Sequence, residues 1–344
     1  MSSKLLKNNV TSKLIPDWTQ IGGGGKIEFL DVMKFYGILL VVFGHITNSW
    51  TSITTYYPPT ESALMQTLTD IIYSFHMPMF VWVSGCIYGY QKEILHRKQP
   101  LAILTKNKFK RLIIPYFAFG TLWVVPVMYL LGLRPQPFRY LFEGVLLAGD
   151  NRHLWYVLML FWAFIIYELL EKLCKKLNIS SLWILLVAVL LYANPVYFPY
   201  FGLGTIGYIF WFVLGYQFVS NTKVAPYVVG ASLMLGTILT CINIPHMALL
   251  QRICYGVIGI SLFYIISNYR SSLTKISFYQ LISKNSFGIY LIHPMIIYSL
   301  RPILFQYEIN PVVATMIIFT ITIIISVLIS IVLRNFRMGV VIGE

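Results

Sequence analysis

The chain is dominated by apolar runs long enough to cross a bilayer. A helix needs roughly 20 apolar residues to span the hydrocarbon. Ten such stretches are legible, at about 32–50, 64–90, 112–132, 153–171, 180–196, 203–219, 225–243, 247–267, 286–303 and 311–333. Composition agrees: 58% of the 344 residues are hydrophobic and only 11% are charged, with a mean hydropathy of +0.72. Soluble domains carry about 25% charged residues. A soluble enzyme, a disordered chain and a nucleic-acid binder are thereby excluded. The expected fold class is an all-α polytopic membrane protein, a bundle of about ten transmembrane helices.

The basic residues orient this map. With the N-terminus inside, the cytoplasmic segments collect Lys4 to Lys34, the cluster Lys92 to Arg111, the later loops through Lys284, and Arg334 with Arg337, which is 21 of 26 basic residues. Only Arg134, Arg139, Arg152, Arg252 and Arg301 fall outside. So lopsided a distribution places both termini in the cytoplasm and accounts for most of the net charge of +14. The expected organisation is a polar cytoplasmic segment over 1–30, a transmembrane domain over 31–334 and a cytoplasmic tail over 335–344. The first segment shows no secretory signal pattern. Its Gly22 to Gly25 run reads as a hinge, since a phosphate loop would need a GK[ST] ending. Cys86, Cys174, Cys241 and Cys254 have no CxxC partner, so buried thiols are expected rather than disulfides or a metal site.

In a chain this poor in charge, intramembrane ionisable groups are candidates for function. The first apolar run carries Asp31, Lys34 and His45. Lys34 and His45 are eleven residues apart, three helical turns with only about 20° of drift and a rise of ~16 Å. All three therefore mark one stripe, with Lys34 toward the inner surface and His45 deep in the run. Lys34 reads equally well as a residue snorkelling to headgroups, and a lone buried histidine as a hydrogen-bonder between helices. His76 precedes Pro78 in the second run, and His293 precedes Pro294 in the ninth. A proline frees a backbone carbonyl, and a broken helix is tolerated where it lines a cavity; a simple packing kink is the other reading. Ser84-Gly85 fits a small-residue helix contact. His153, Trp155 and Tyr156 open the fourth run as an interfacial anchor or a polar site beside Asp150 and Arg152. Lys108, Lys110 and Arg111 form a basic cluster before Pro115, a positive-inside anchor or a site for an anionic, phosphate-bearing molecule.

These pieces, in this order, resemble the membrane-bound acyltransferase-3 family, especially its compact sugar O-acetyltransferase-like members. They are Leu30-Asp31…Lys34…Val41-Val42-Phe43-Gly44-His45, Phe75-His76-Met77-Pro78-Met79-Phe80…Ser84-Gly85, Lys108…Arg111…Pro115, His153-Leu154-Trp155-Tyr156 and Tyr290…His293-Pro294. The family places a basic residue, ten others and then a histidine in its first span, which Lys34 and His45 match. Its paired-basic motif for acyl-CoA falls on Lys108 and Arg111. Lysine at the first position weakens bidentate phosphate binding.

The resemblance implies transfer of an acyl group, usually acetyl, from acetyl-CoA or another acyl-CoA as co-substrate, with no metal. The acceptor would be a hydroxyl of a cell-surface glycan or its lipid-linked precursor, reached from a bacterial-type inner membrane. His45 is the expected general base, with Asp31 and Lys34 as catalytic partners and Lys34, Lys108 and Arg111 steering the donor phosphates. His76, Ser84, His153, Trp155, Tyr156 and His293 are expected at the acceptor. A transient acyl-histidine is the alternative chemistry. The rival class is a transporter or flippase, which also uses broken helices and buried charges. A two-fold internal repeat would favour it, and the first-run pattern does not recur half a chain later.

Overall fold

The computed structural model describes residues 28–51, 61–193, 198, 200–220, 248–269, 271–307 and 309–344. The N-terminal lysines, Gly22 to Gly25, Lys223, Cys241, Arg270 and the apolar run over 225–243 lie outside the described residues.

Among the described residues the regular structure is helical throughout. The principal helices are α1 (Glu28–Thr47), α2 (Ala63–Gly89), α3 (Leu101–Leu130), α4 (Trp155–Lys176), α5 (Leu182–Ala193), α6 (Ile209–Ser220), α7 (Ala248–Tyr269), α8 (Ser277–Leu304) and α9 (Pro311–Asn335). Seven of them, α1, α2, α3, α6 with its lead-in turn from Leu203, α7, α8 and α9, are long and apolar enough to cross a membrane. The chain is therefore an all-α, multi-pass membrane protein. α4 coincides with the fourth expected run, but its last turns carry Glu168, Glu171, Lys172, Lys175 and Lys176. α5 has 12 residues, short of the roughly 20 that a perpendicular crossing needs.

The prolines act differently in different helices. α2 continues through Pro78, and α8 through Pro294 and Pro302. The break expected beside His76 and His293 is thus absent, and each proline only removes one backbone donor. In α3, wide π-type turns at Phe109–Ile113 and Gly120–Val124 come just before Pro115 and Pro126. A proline ring clashes with the carbonyl one turn earlier, and a widened turn relieves the clash.

The chain forms two compact units. The described part of the first comprises residues 28–37, 74–99, 210–220 and 248–280. Its tightest contact is between α2 and α6. A Cβ added to Gly85 would lie 2.0 Å from the Phe212 carbonyl oxygen, and one added to Gly215 2.1 Å from that of Trp82. Glycine at both positions is thus what lets the backbones touch, the small-residue contact expected at Ser84-Gly85. Cys86 is buried in this contact and donates to the Gly215 carbonyl at 3.2 Å. Cys174 and Cys254 are also buried free thiols.

The second unit comprises the rest of α1, the start of α2, α3 to α5, nearly all of α8, and α9. Here Gly288 on α8 accommodates Ser330 of α9, whose Oγ would be 2.2 Å from an added Cβ. Arg334 of α9 reaches Asn285 Oδ1 of α8 at 3.2 Å and pairs with Glu344 at 2.5 Å, tying the final turn to both helices.

Candidate functional site

The second unit brings three histidines from three distant segments together. His45 comes from the last turn of α1, His153 from the turn leading into α4, and His293 from the middle of α8. The His45 and His293 rings have centroids 5.2 Å apart, and the His153 and His293 rings 5.7 Å apart. His293 is the central member and is fully buried.

Backbone carbonyls set the tautomers of two of these rings. His293 Nδ1 lies 2.9 Å from the Ile289 carbonyl oxygen. A carbonyl only accepts, so Nδ1 carries the hydrogen and the neutral ring keeps its lone pair on Nε2. That nitrogen is buried and has no hydrogen-bond partner. His153 Nε2 lies 3.1 Å from the Leu291 carbonyl, which leaves the lone pair on Nδ1, likewise buried and unpartnered. The same stretch of α8 thus orients both rings. Tyr290 secures it from the other side, its hydroxyl donating to the His153 carbonyl. Trp123 Nε1 of α3 donates to the Ile292 carbonyl at 3.2 Å.

His45 is fixed through its backbone. It lies in the last turn of α1, nearer the helix end than its place in the apolar run suggested, where carbonyls lack helical partners. Its carbonyl accepts from Arg301 Nη2 of α8 at 3.1 Å. Arg301 is 4% exposed, and its guanidinium lies over the Tyr298 ring at 4.9 Å. A cation at a helix C-terminus also complements the macrodipole. Tyr290 entered the sequence reading only as part of the Tyr290…His293-Pro294 motif and Arg301 only as an outer basic residue; neither was expected at the site. The signal for Arg301 was its position, an arginine inside an apolar run just before Pro302.

The other expected residues are distributed over both units. Asp31 and Lys34 form an ion pair at 2.5 Å near the start of α1 and belong to the first unit. His76 is buried in that unit, and Ser84 there donates to the Phe80 carbonyl at 2.9 Å. Tyr156 is buried against Tyr290, with ring centroids 5.4 Å apart, and Trp155 packs on Tyr208 at 4.9 Å. In the wide turn of α3, Arg111 is exposed, whereas the Lys108 ammonium lies 3.5 Å over the Phe164 ring. Among the described residues, no group of three or more His, Cys, Asp or Glu side chains is placed to hold a metal ion.

The fold and the site define a multi-helix membrane protein that gathers three histidines in one unit. Residues 27–334 match the model of the acyltransferase-3 family, described as an acyltransferase domain, and the chain belongs to that family. No curated protein and no solved structure matches the chain. Membership makes it a membrane acyltransferase that requires an acyl donor.

Proposed function

We propose that the protein is an O-acyltransferase, moving an acyl group, acetyl in the first instance, from acyl-CoA to a hydroxyl of a cell-surface glycan or its lipid-linked precursor. Its place would be a bacterial-type inner membrane. The observation that carries this reading is the convergence of His45, His153 and His293, with an unpartnered nitrogen on His293 and another on His153.

In this reading His45 takes the proton from the acceptor hydroxyl as its oxygen attacks the thioester carbonyl. The new ester C–O bond forms, the C–S bond breaks, and the departing thiolate takes up the proton. His293, its Nδ1 hydrogen committed to Ile289, offers Nε2 as the adjoining acceptor and holds the proton within the cluster. A second proton there would place like charges about 5 Å apart, a repulsion of about 3 kcal/mol at an effective dielectric of about 20. The cluster is therefore suited to one proton at a time. Arg301 acts as a positioning residue through the His45 backbone.

The donor phosphates suit the basic stretch Lys106 to Arg111. Arg111 is exposed and presents the planar fork that phosphates prefer, while Lys108 is held over the Phe164 ring. Trp155 and Tyr156, packed on Tyr208 and Tyr290, hold the turn that carries His153.

The test is turnover of labelled acetyl-CoA by purified protein in lipid nanodiscs. Separate His45→Ala and His293→Ala variants are expected to lose about 10²- to 10⁴-fold in rate, the range for a general base. Wild-type rates in a folded His45→Ala protein would refute the assignment.

A further inference from the structure

A pocket of about 440 Å³ opens in the second unit, lined by Arg134, Arg139, Tyr140, Glu143, Asp150 and Tyr200 among others. That volume falls within the roughly 300–1,000 Å³ of small-molecule sites. We propose that it is a saccharide-binding site that takes an uncharged or zwitterionic pyranose unit of the acceptor and presents it to the histidines. This rests on the reading of the protein as a glycan acyltransferase.

The charges of the pocket are balanced. Arg134 pairs with Asp150 at 2.6 Å, and Arg139 Nε with both carboxylate oxygens of Glu143 at 3.0 Å. No cation of the lining is left over for a phosphate, as an anionic ligand would need. Vicinal sugar hydroxyls both donate and accept, so they match a wall that alternates guanidinium donors with carboxylate acceptors. Tyr200 is 42% exposed and supplies the flat apolar face against which pyranose C–H groups pack. Tyr140 stays a donor: burial, and then the nearby Asp150 charge, push its phenol up to about 12. Its hydroxyl donates to the Asp150 carbonyl at 3.1 Å.

The backbone around the pocket is held in unusual shapes. Ala148, Arg152 and Phe201 have φ of 58°, 51° and 56°, in the left-handed region that non-glycine residues rarely adopt. Such strain persists where the surroundings over-determine it and clusters at ligand sites. Phe201 N–H donates to the Leu147 carbonyl at 2.8 Å, and Trp162 Nε1 to the Phe201 carbonyl at 2.8 Å. These bonds hold the Tyr200 loop against the opposite wall. Asp150 precedes His153 by three residues, so their Cα atoms are at most about 10 Å apart. The turn that carries His153 into the cluster thus begins at the wall of the pocket.

The experiment is saturation-transfer NMR on the full chain in nanodiscs, with the methyl glycosides of glucose, galactose and N-acetylglucosamine as probes and glucose 6-phosphate as the anionic comparison. Transfer to pyranose protons is expected in the wild type and in Tyr200→Phe. Binding is expected to weaken about three- to tenfold in Tyr200→Ala, which loses the aromatic face. Arg139→Gln, at an exposed position, is the second variant if Tyr200→Ala does not reconstitute, and it too should bind more weakly. No transfer to any glycoside, signals unchanged in the variants, or tighter binding of the phosphate would overturn the proposal. Acyl-CoA turnover without glycoside binding would overturn the pocket alone. Glycoside binding in a wild type that cannot turn over acyl-CoA would leave the pocket standing and remove the acyltransferase chemistry.

Discussion

His293 has one ring nitrogen hydrogen-bonded to Ile289 and the other buried without a partner. Its tautomer is therefore fixed by the fold before any substrate arrives. His293→Gln is the informative substitution here, because a glutamine amide can still donate to the Ile289 carbonyl but cannot take up a proton. It should retain folding and substrate affinity while kcat falls about 10²-fold or more. Steady-state kinetics on purified protein checks this, and a raised KM with unchanged kcat would make His293 a binding residue instead. Lys34 and Asp31 separate stability from function in another way. Their side chains are about one-third exposed, and such pairs contribute at most about 1 kcal/mol. Lys34→Met should thus leave thermal unfolding almost unchanged while raising the KM for acyl-CoA, if the lysine steers donor phosphates. At this scale the sequence was informative. An apolar run makes each ionisable residue stand out, and His45, His153 and His293 were all visible as exceptions. Their convergence was not visible, because 108 residues separate the first from the second and 140 the second from the third.

Helix ends and helix contacts set the geometry. The carbonyl of His45 lies in the last turn of α1 and accepts from the Ser49 hydroxyl at 3.4 Å and from Arg301 of α8 at 3.1 Å. Arg301→Leu removes the tether, and displacement of the ring by about 1 Å can cost on the order of 10² in rate. Arg301→Lys restores charge without the planar fork and should recover only part of the rate, read as kcat at saturating donor. In the first unit, the Gly85 and Gly215 backbones leave no room for a methyl group. Gly85→Ala should destabilise the protein by about 1–3 kcal/mol, as overpacking does, and lower its melting temperature in detergent. Ser84-Gly85 was legible as such a contact, since small residues in an apolar run have few other uses. Pro78 and Pro294 left a break and a packing kink both open, and the helices continue through them, which fits the second. A single lost donor costs less than ending a helix that stays in contact along its whole length.

In the proposed reading, donor and acceptor are met at different places along one chain. The basic stretch before Pro115 suits a charged cytoplasmic donor, and the pocket at Arg134 to Asp150 suits a glycan on the opposite side. That orientation predicts accessibility. In a cysteine-free background, Gln136→Cys should react with an impermeant maleimide added outside, and Lys110→Cys only after the membrane is opened. The reverse pattern would invert the topology. Hydropathy and the basic residues made the all-helical membrane fold legible, because lipid imposes both signals. The pocket was not legible, since Arg139 and Glu143 read only as a local i,i+4 pair and Arg134 meets Asp150, sixteen residues on, only when the chain folds.

The most direct measurement follows the acyl carbon itself. Purified protein in nanodiscs receives ¹³C-acetyl-CoA and a glycan acceptor, and mass spectrometry reads the glycan. A gain of one labelled acetyl ester per acceptor with the wild type, and none with His45→Ala, is the predicted result. Wild-type protein that moves the glycan across the membrane without labelling it, or a folded His45→Ala protein that labels it at the full rate, would contradict the account.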